Sequence, residues 1–241
     1  MKSMITKVLG AAAVATSSTA CATEPPMAGY PASYIEMQAA DGETSALAEF
    51  LTGAAPIVKD TEPGTELWFA LQAPGGKLAI FDVFVDEDAR IAHFNGAVAG
   101  ALKDNSVRLV DGGWEDGVLG NVYNSTVLSA KGPVDLYSAT TATYIKLRAA
   151  PGQAENLAEL LTAAGPIVSE TEPGTLFWVA LRIDEDDFAI FDIFADETGR
   201  TAHFAGEVAG LLNERSSVLV DGGWDAGVVA NVTNFNILAI K

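Results

Sequence analysis

The chain has 241 residues, 49% hydrophobic and 19% charged, a composition that fits a folded protein and argues against disorder. Its 32 acidic against 14 basic residues give a formal net charge of −18, which repels phosphate backbones and argues against nucleic acid as a partner. One cysteine, Cys21, allows no internal disulfide, so the fold must rest on its core.

Residues 1–22 read as a signal segment. Lys2 and Lys7 form a basic start, and Val8 to Ala15 is an apolar run too short to span a bilayer. Ala20-Cys21-Ala22 fits a small-x-small cleavage site. Ser18-Thr19-Ala20-Cys21 resembles a bacterial lipobox, which would place a lipid anchor on Cys21. The expected location is outside the cytoplasm: periplasmic, membrane-anchored through a lipid on Cys21, or secreted and soluble. Residues 23–33 form a tether.

From Tyr34 onward the chain is written twice. Tyr34–Lys131 lies over Tyr144–Lys241 without a gap, and about half the paired positions are identical. The offset carries Trp68 to Trp178, Asp82 to Asp192, His93 to His203 and Trp114 to Trp224. Two modules, 34–131 and 144–241, joined by a linker at 132–143, are therefore expected, each the size of a small domain.

In order, Tyr34 to Ala40 is a strand closed by an Asp41-Gly42 turn. Leu47, Phe50, Leu51, Ala54 and Val58 follow helical spacing, with Pro56 predicting a kink or early stop. Glu62-Pro63-Gly64-Thr65 predicts a type II turn with Gly64 at positive φ. Strands over 66–72 and 78–84 form a hairpin. Asp86 caps a helix carrying Ala89, Ala92, His93 and Gly96 on one face, small residues that leave room beside the imidazole. A short helix spans 98–103, Asp111-Gly112-Gly113-Trp114 is a loop, and residues 120–130 form the last strand. Each module thus reads β-α-β-β-α-(α)-β. The fold class is α+β: two tandem ferredoxin-like modules, each leaving one apolar sheet face uncovered, that pair within the chain as a dimeric α+β barrel.

EPGT, Trp68, AIFDVF, Asp86-Glu87, Arg90 and AHF together resemble the antibiotic biosynthesis monooxygenase (ABM) family, and the resemblance covers both modules. It implies a dimeric α+β barrel with the histidine helix facing a cavity between sheet and helices. It also implies oxidation of quinols or polyphenols by O2 without a cofactor, so the partners would be a small aromatic, quinol-like substrate and O2. Phe84 and Phe194 stand where haem-degrading members carry Trp, and Ile35 and Ile145 where they carry Asn, so haem degradation is not implied. Two histidines and one signal-segment cysteine supply no His or Cys metal set, and no phosphate-cradling glycine loop is present.

The candidate catalytic residues are His93 and His203, as bases for a phenolic proton, with Asp82 and Asp192 to orient them. Each has a plain alternative: a buried histidine bonded to backbone, or an aspartate paired with Arg90 or Arg200, the pairing favoured here. Trp68, Trp178, Phe84 and Phe194 are candidate apolar walls for an aromatic ring, or ordinary core. Asn121 and Asn231 would bind substrate oxygens or strand edges. The alternative function is an exported, non-catalytic protein that holds a small aromatic or apolar ligand in the same cavities.

Overall fold

The computed structural model describes residues 27–241; the signal segment, Cys21 and the start of the expected tether lie outside the described residues, and the end of that tether, Pro31 to Ser33, is already strand. The first half runs β1 (Pro31–Gln38), α1 (Thr44–Thr61), β2 (Thr65–Gln72), β3 (Lys77–Phe84), α2 (Glu87–Phe94), α3 (Ala97–Leu109) and β4 (Val122–Lys131). The second repeats the series as β5 (Thr141–Arg148), α4 (Ala154–Thr171), β6 (Thr175–Arg182), β7 (Asp187–Phe194), α5 (Glu197–Phe204), α6 (Glu207–Leu219) and β8 (Val232–Ile240).

The strands form one closed antiparallel barrel in the order β1-β3-β2-β8-β5-β7-β6-β4. Two seams join the halves. β4 pairs with β6, from Thr126↔Arg182 to Lys131↔Trp178, and β8 pairs with β2, from Asn236↔Gln72 to Ile240↔Phe69. Closure leaves no free sheet edge. The helices also cross over: α4 packs on β4 and α1 on β8, so each half's long helix covers the other half's last strand.

Strand residues alternate between two buried layers, which is why these strands are apolar on both faces. Inward-pointing Tyr34, Phe69, Phe81, Tyr144, Phe177, Phe191 and Phe235 fill the barrel. Tyr34 stacks on Tyr144 across it at 3.7 Å between ring centroids, and Phe81 on Phe191 at 4.0 Å. Outward-pointing residues pack beneath the helices: Trp68 and Trp178 beneath those of their own half, Leu238 and Leu128 beneath those of the other.

Three local expectations are corrected. α1 continues through Pro56 to Thr61, because its last turn buries Val58 against the sheet. The carbonyl that Pro56 leaves without an intrahelical donor belongs to Thr52, an exposed residue. Gly64 does not adopt positive φ. It is glycine because a Cβ there would sit 2.6 Å from Ala89 Cβ, so the turn can lie directly against α2. The same contact in the second half is glycine on glycine, Gly174 against Gly199. α3 also extends well past the predicted 98–103, to Leu109.

Candidate active site

Helix α1 ends at Thr61, and the carboxylate of the next residue, Glu62, turns inward beneath α2. Glu62 Oε2 accepts a hydrogen bond from Thr65 Oγ1 at 3.0 Å and from His93 Nδ1 at 2.5 Å. On the other side of the ring, His93 Nε2 lies 3.7 Å from Asp82 Oδ2 on β3, close enough for strong charge attraction but long for a hydrogen bond. The second half repeats this geometry: Thr175 to Glu172 at 3.0 Å, His203 to Glu172 at 2.5 Å, and His203 Nε2 to Asp192 at 3.7 Å. His93 is 4% exposed and Asp82 fully buried.

The EPGT motif is thus a site element. From the sequence alone Glu62 and Thr65 are only parts of a turn, as are Glu172 and Thr175. Gly96 belongs with them. A Cβ at Gly96 would fall 2.8 Å from Glu62 Oε1, and one at Gly206 would fall 2.7 Å from Glu172 Oε1. The bare backbone at Gly96 makes room for the glutamate, whereas the sequence suggested room for a ligand. The available signal was that Glu62, Thr65 and Gly96 recur in the second half.

The favoured pairing of Asp82 with Arg90 does not form. Arg90 binds Glu87 one turn away on its own helix, and Arg200 binds Glu197, while Asp82 and Asp192 face the histidines. Lysines complete the picture from across the seams. Lys241 Nζ donates to the Glu62 carbonyl at 3.0 Å and to that of Thr65, and Lys131 Nζ donates to the Glu172 carbonyl at 2.6 Å.

The electrostatics follow from burial. Removal from water pushes the Asp82 carboxyl up to about 7, with the Glu62 charge adding to the rise and the His93 charge opposing it; Asp192 behaves alike. Burial pulls the His93 imidazole down, but the Asp82 charge and the hydrogen bond to Glu62 outweigh it and leave the pKa raised, as at His203. The charge of each group thus sets how tightly the other holds its proton.

The other candidate residues divide clearly. Phe84 and Phe194 lie against the imidazoles, with ring centroids 5.3 and 5.4 Å away. Trp68 is fully buried beside Asp82 across the β2–β3 register, and Trp178 beside Asp192. The Trp68 indole N–H and both Asp82 oxygens have no hydrogen-bond partner among the described residues. A cavity of about 20 Å³, walled by Trp68, His93, Phe94, Trp114, Val118 and Leu119 among others, adjoins the ring. Asn121 and Asn231 are not brought to the histidines. The Asn121 amide donates to the carbonyls of Asp116 and Gly117, closing the loop that follows Trp114, and Asn231 repeats this on Ala226 and Gly227.

No family profile and no curated protein sequence matches the chain. Solved structures do. A "putative monooxygenase" of Fusobacterium nucleatum superposes with TM-score 0.72 at 16% identity, over 89% of this chain and 94% of its own. A "putative monooxygenase" of Lactobacillus acidophilus gives 0.70 at 13%, over 88% and 95%. This chain has the fold of the ABM family. An "anthrone oxidase-like protein" shares that ABM fold with TM-score 0.59 at 9% identity, over 90% of this chain and 94% of its own. At such identities the likeness concerns the fold, and the chemistry must be argued from the Glu–His–Asp sites.

Proposed function

We propose that the chain is an ABM-type monooxygenase that oxidises a small phenol or hydroquinone with O2 and needs no organic cofactor. The observation that carries this reading is the buried histidine set between two carboxylates, with Asp82 titrating near 7. Such a pair takes up a proton at neutral pH. The phenolic proton passes to the Asp82–His93 pair, and the phenolate gives electrons to O2. For a hydroquinone the balance is hydroquinone plus O2 to hydroxyquinone plus water, with one oxygen atom retained and the other leaving as water. The residual positive charge on the imidazole stabilises the phenolate in a water-poor site. Support comes from the shared fold with proteins described as monooxygenases and as anthrone oxidase-like.

The cavity of about 20 Å³ holds no aromatic ring, so the substrate is admitted by outward movement of the wall formed by half-buried Trp114 and exposed Leu119. Oxygen uptake with simple hydroquinones should exceed autoxidation, and His93→Gln with His203→Gln should lower it by roughly 10²–10⁴-fold. A folded double variant with the native rate sinks the catalytic role of the histidines.

The small cavity also favours a second reading: a non-catalytic protein that holds a small apolar ligand beside His93. It predicts retention of such a ligand with no oxygen uptake in the same assay. For either activity we propose export, with a lipid on Cys21. Cys21→Ala should move the protein from the membrane to the soluble exported fraction, and a native protein that is already soluble there removes the anchor.

A further inference from the structure

The charged side chains that face His93 come from three elements. Glu62 comes from the end of α1, Asp82 from β3, and Lys241 from just beyond β8. Arg90, on the histidine's own helix, is turned to Glu87. Glu62 and Asp82 belong to the same half as His93, whereas Lys241 belongs to the other half.

Lys241 is anchored at both ends. Its backbone N–H donates to the Trp68 carbonyl at 3.0 Å, extending the β2–β8 seam. Its ammonium donates to the carbonyls of Glu62 and Thr65, the two residues whose side chains hold each other and His93 Nδ1. Lys131 sits in the opposite seam, paired with Trp178, and its ammonium donates to the Glu172 carbonyl. A lysine ammonium is a compact charge with several donors, suited to tie a backbone turn and to act on nearby charges at once. Removing it would leave the Glu62 carbonyl with the Thr65 N–H as its remaining donor, and would take a positive charge away from an imidazolium.

We infer that Lys241 and Lys131 are positioning residues that reach across the seams, so that each Glu–His–Asp site is completed by the opposite half of the chain. No half carries a whole site. The inference concerns the build of the site and does not depend on whether the site is catalytic.

The chain has only two histidines, so each site reports on itself by NMR titration of the full-length protein, with signals assigned through His93→Gln. Loss of the Lys241 charge lets His93 hold its proton more tightly. Lys241→Met should raise the His93 midpoint by about half a pH unit or more and leave His203 in place. Lys131→Met should move His203 alone. Lys241→Arg should restore the wild-type midpoint. Lys241→Gln, which keeps a donor without the charge, should still raise it and decides the matter if the Met variant does not fold. The inference is overturned if neither histidine moves, if each lysine shifts the histidine of its own half, or if one substitution shifts both equally.

Discussion

Where α4 crosses β4, Gly165 stands over Ser129; where α1 crosses β8, the equivalent residues are Ala55 and Ala239. A Cβ on Gly165 would fall 2.2 Å from Ser129 Oγ and 3.3 Å from the Ala130 nitrogen. Gly with Ser and Ala with Ala carry the same number of side-chain heavy atoms, shared differently between helix and strand. The first seam is also the tighter. Ser129, Ala130 and Lys131 are buried, whereas Ala239, Ile240 and Lys241 are half-buried along a groove of about 540 Å³ beside Lys59, Leu136 and Tyr137. The difference teaches that a fused pair of halves need not keep one interface solution. Each seam has its own helix–strand fit, while the Thr–Glu, Glu–His and His–Asp distances beneath them are the same in both halves.

The largest expected effect comes from separating the halves. Fragments 27–131 and 139–241 each expose two edge strands and should dimerise. A first-half homodimer sets Ala55 over Ser129, which crowds; a second-half homodimer sets Gly165 over Ala239, which leaves a gap. Mixed and refolded together, they should form the heterodimer over both homodimers by about tenfold or more, as read by native mass spectrometry. A statistical mixture would remove the complementarity, and a stable monomer of either fragment would remove the seams from the account of stability.

Within the intact chain, Gly165→Ala should cost about 1–3 kcal/mol by urea denaturation, and adding Ser129→Ala should recover most of it, because the seam then matches the other one. A Gly165→Ala cost that Ser129→Ala leaves untouched would locate the strain elsewhere on α4.

The smallest expected effect is a difference near zero between the two sites. Asp82 and Asp192 titrate near 7 in the folded protein, against about 3.9 for an unperturbed aspartate. Between roughly pH 4 and 7 the native state therefore holds protons that the unfolded chain has released, and stability falls as pH rises through that window. The raised histidines act in the same direction, since their contribution is present below about pH 6.5 and lost as pH rises through the folded pKa. Tm should be lower at pH 8 than at pH 5.5. Asp82→Asn and Asp192→Asn should each remove a similar share of that slope, and unequal shares would mean that seam packing reaches into the sites.

Periodicity made most of the fold legible. The spacing of Leu47, Leu51, Ala54 and Val58 marks the face that α1 does bury, and the twofold repeat points to a barrel closed within the chain. Individual residues were read less well where one letter serves two purposes. Gly64 before a strand looks like positive φ, yet it serves close approach to Ala89. Glu62 after a helix and before Pro-Gly looks like a solvated turn, and nothing local says that its carboxylate points inward. Asp82 in an apolar strand needs a cation, and Arg90 was nearest by inventory. On the helix, however, Glu87 lies one turn from Arg90 and takes it at little cost in exposed surroundings. The lysines were invisible as site residues because their partners lie in the other half, a relation that only strand order reveals.

Those lysines give the molecule a direction in time. The hydrogen bond from Lys131 to Glu172 reaches 41 positions, and at translation Lys131 is already made when Glu172 emerges. The bond from Lys241 to Glu62 reaches 179 positions, in the opposite sense. At typical synthesis rates, Glu62 is made roughly 10–40 s before its lysine exists. Until β8 is made, β2 is paired on one side only, with β3, and its other edge stays open. A nascent chain of this protein is therefore open to early partners, chaperones or a second nascent copy, on the side that β8 later seals.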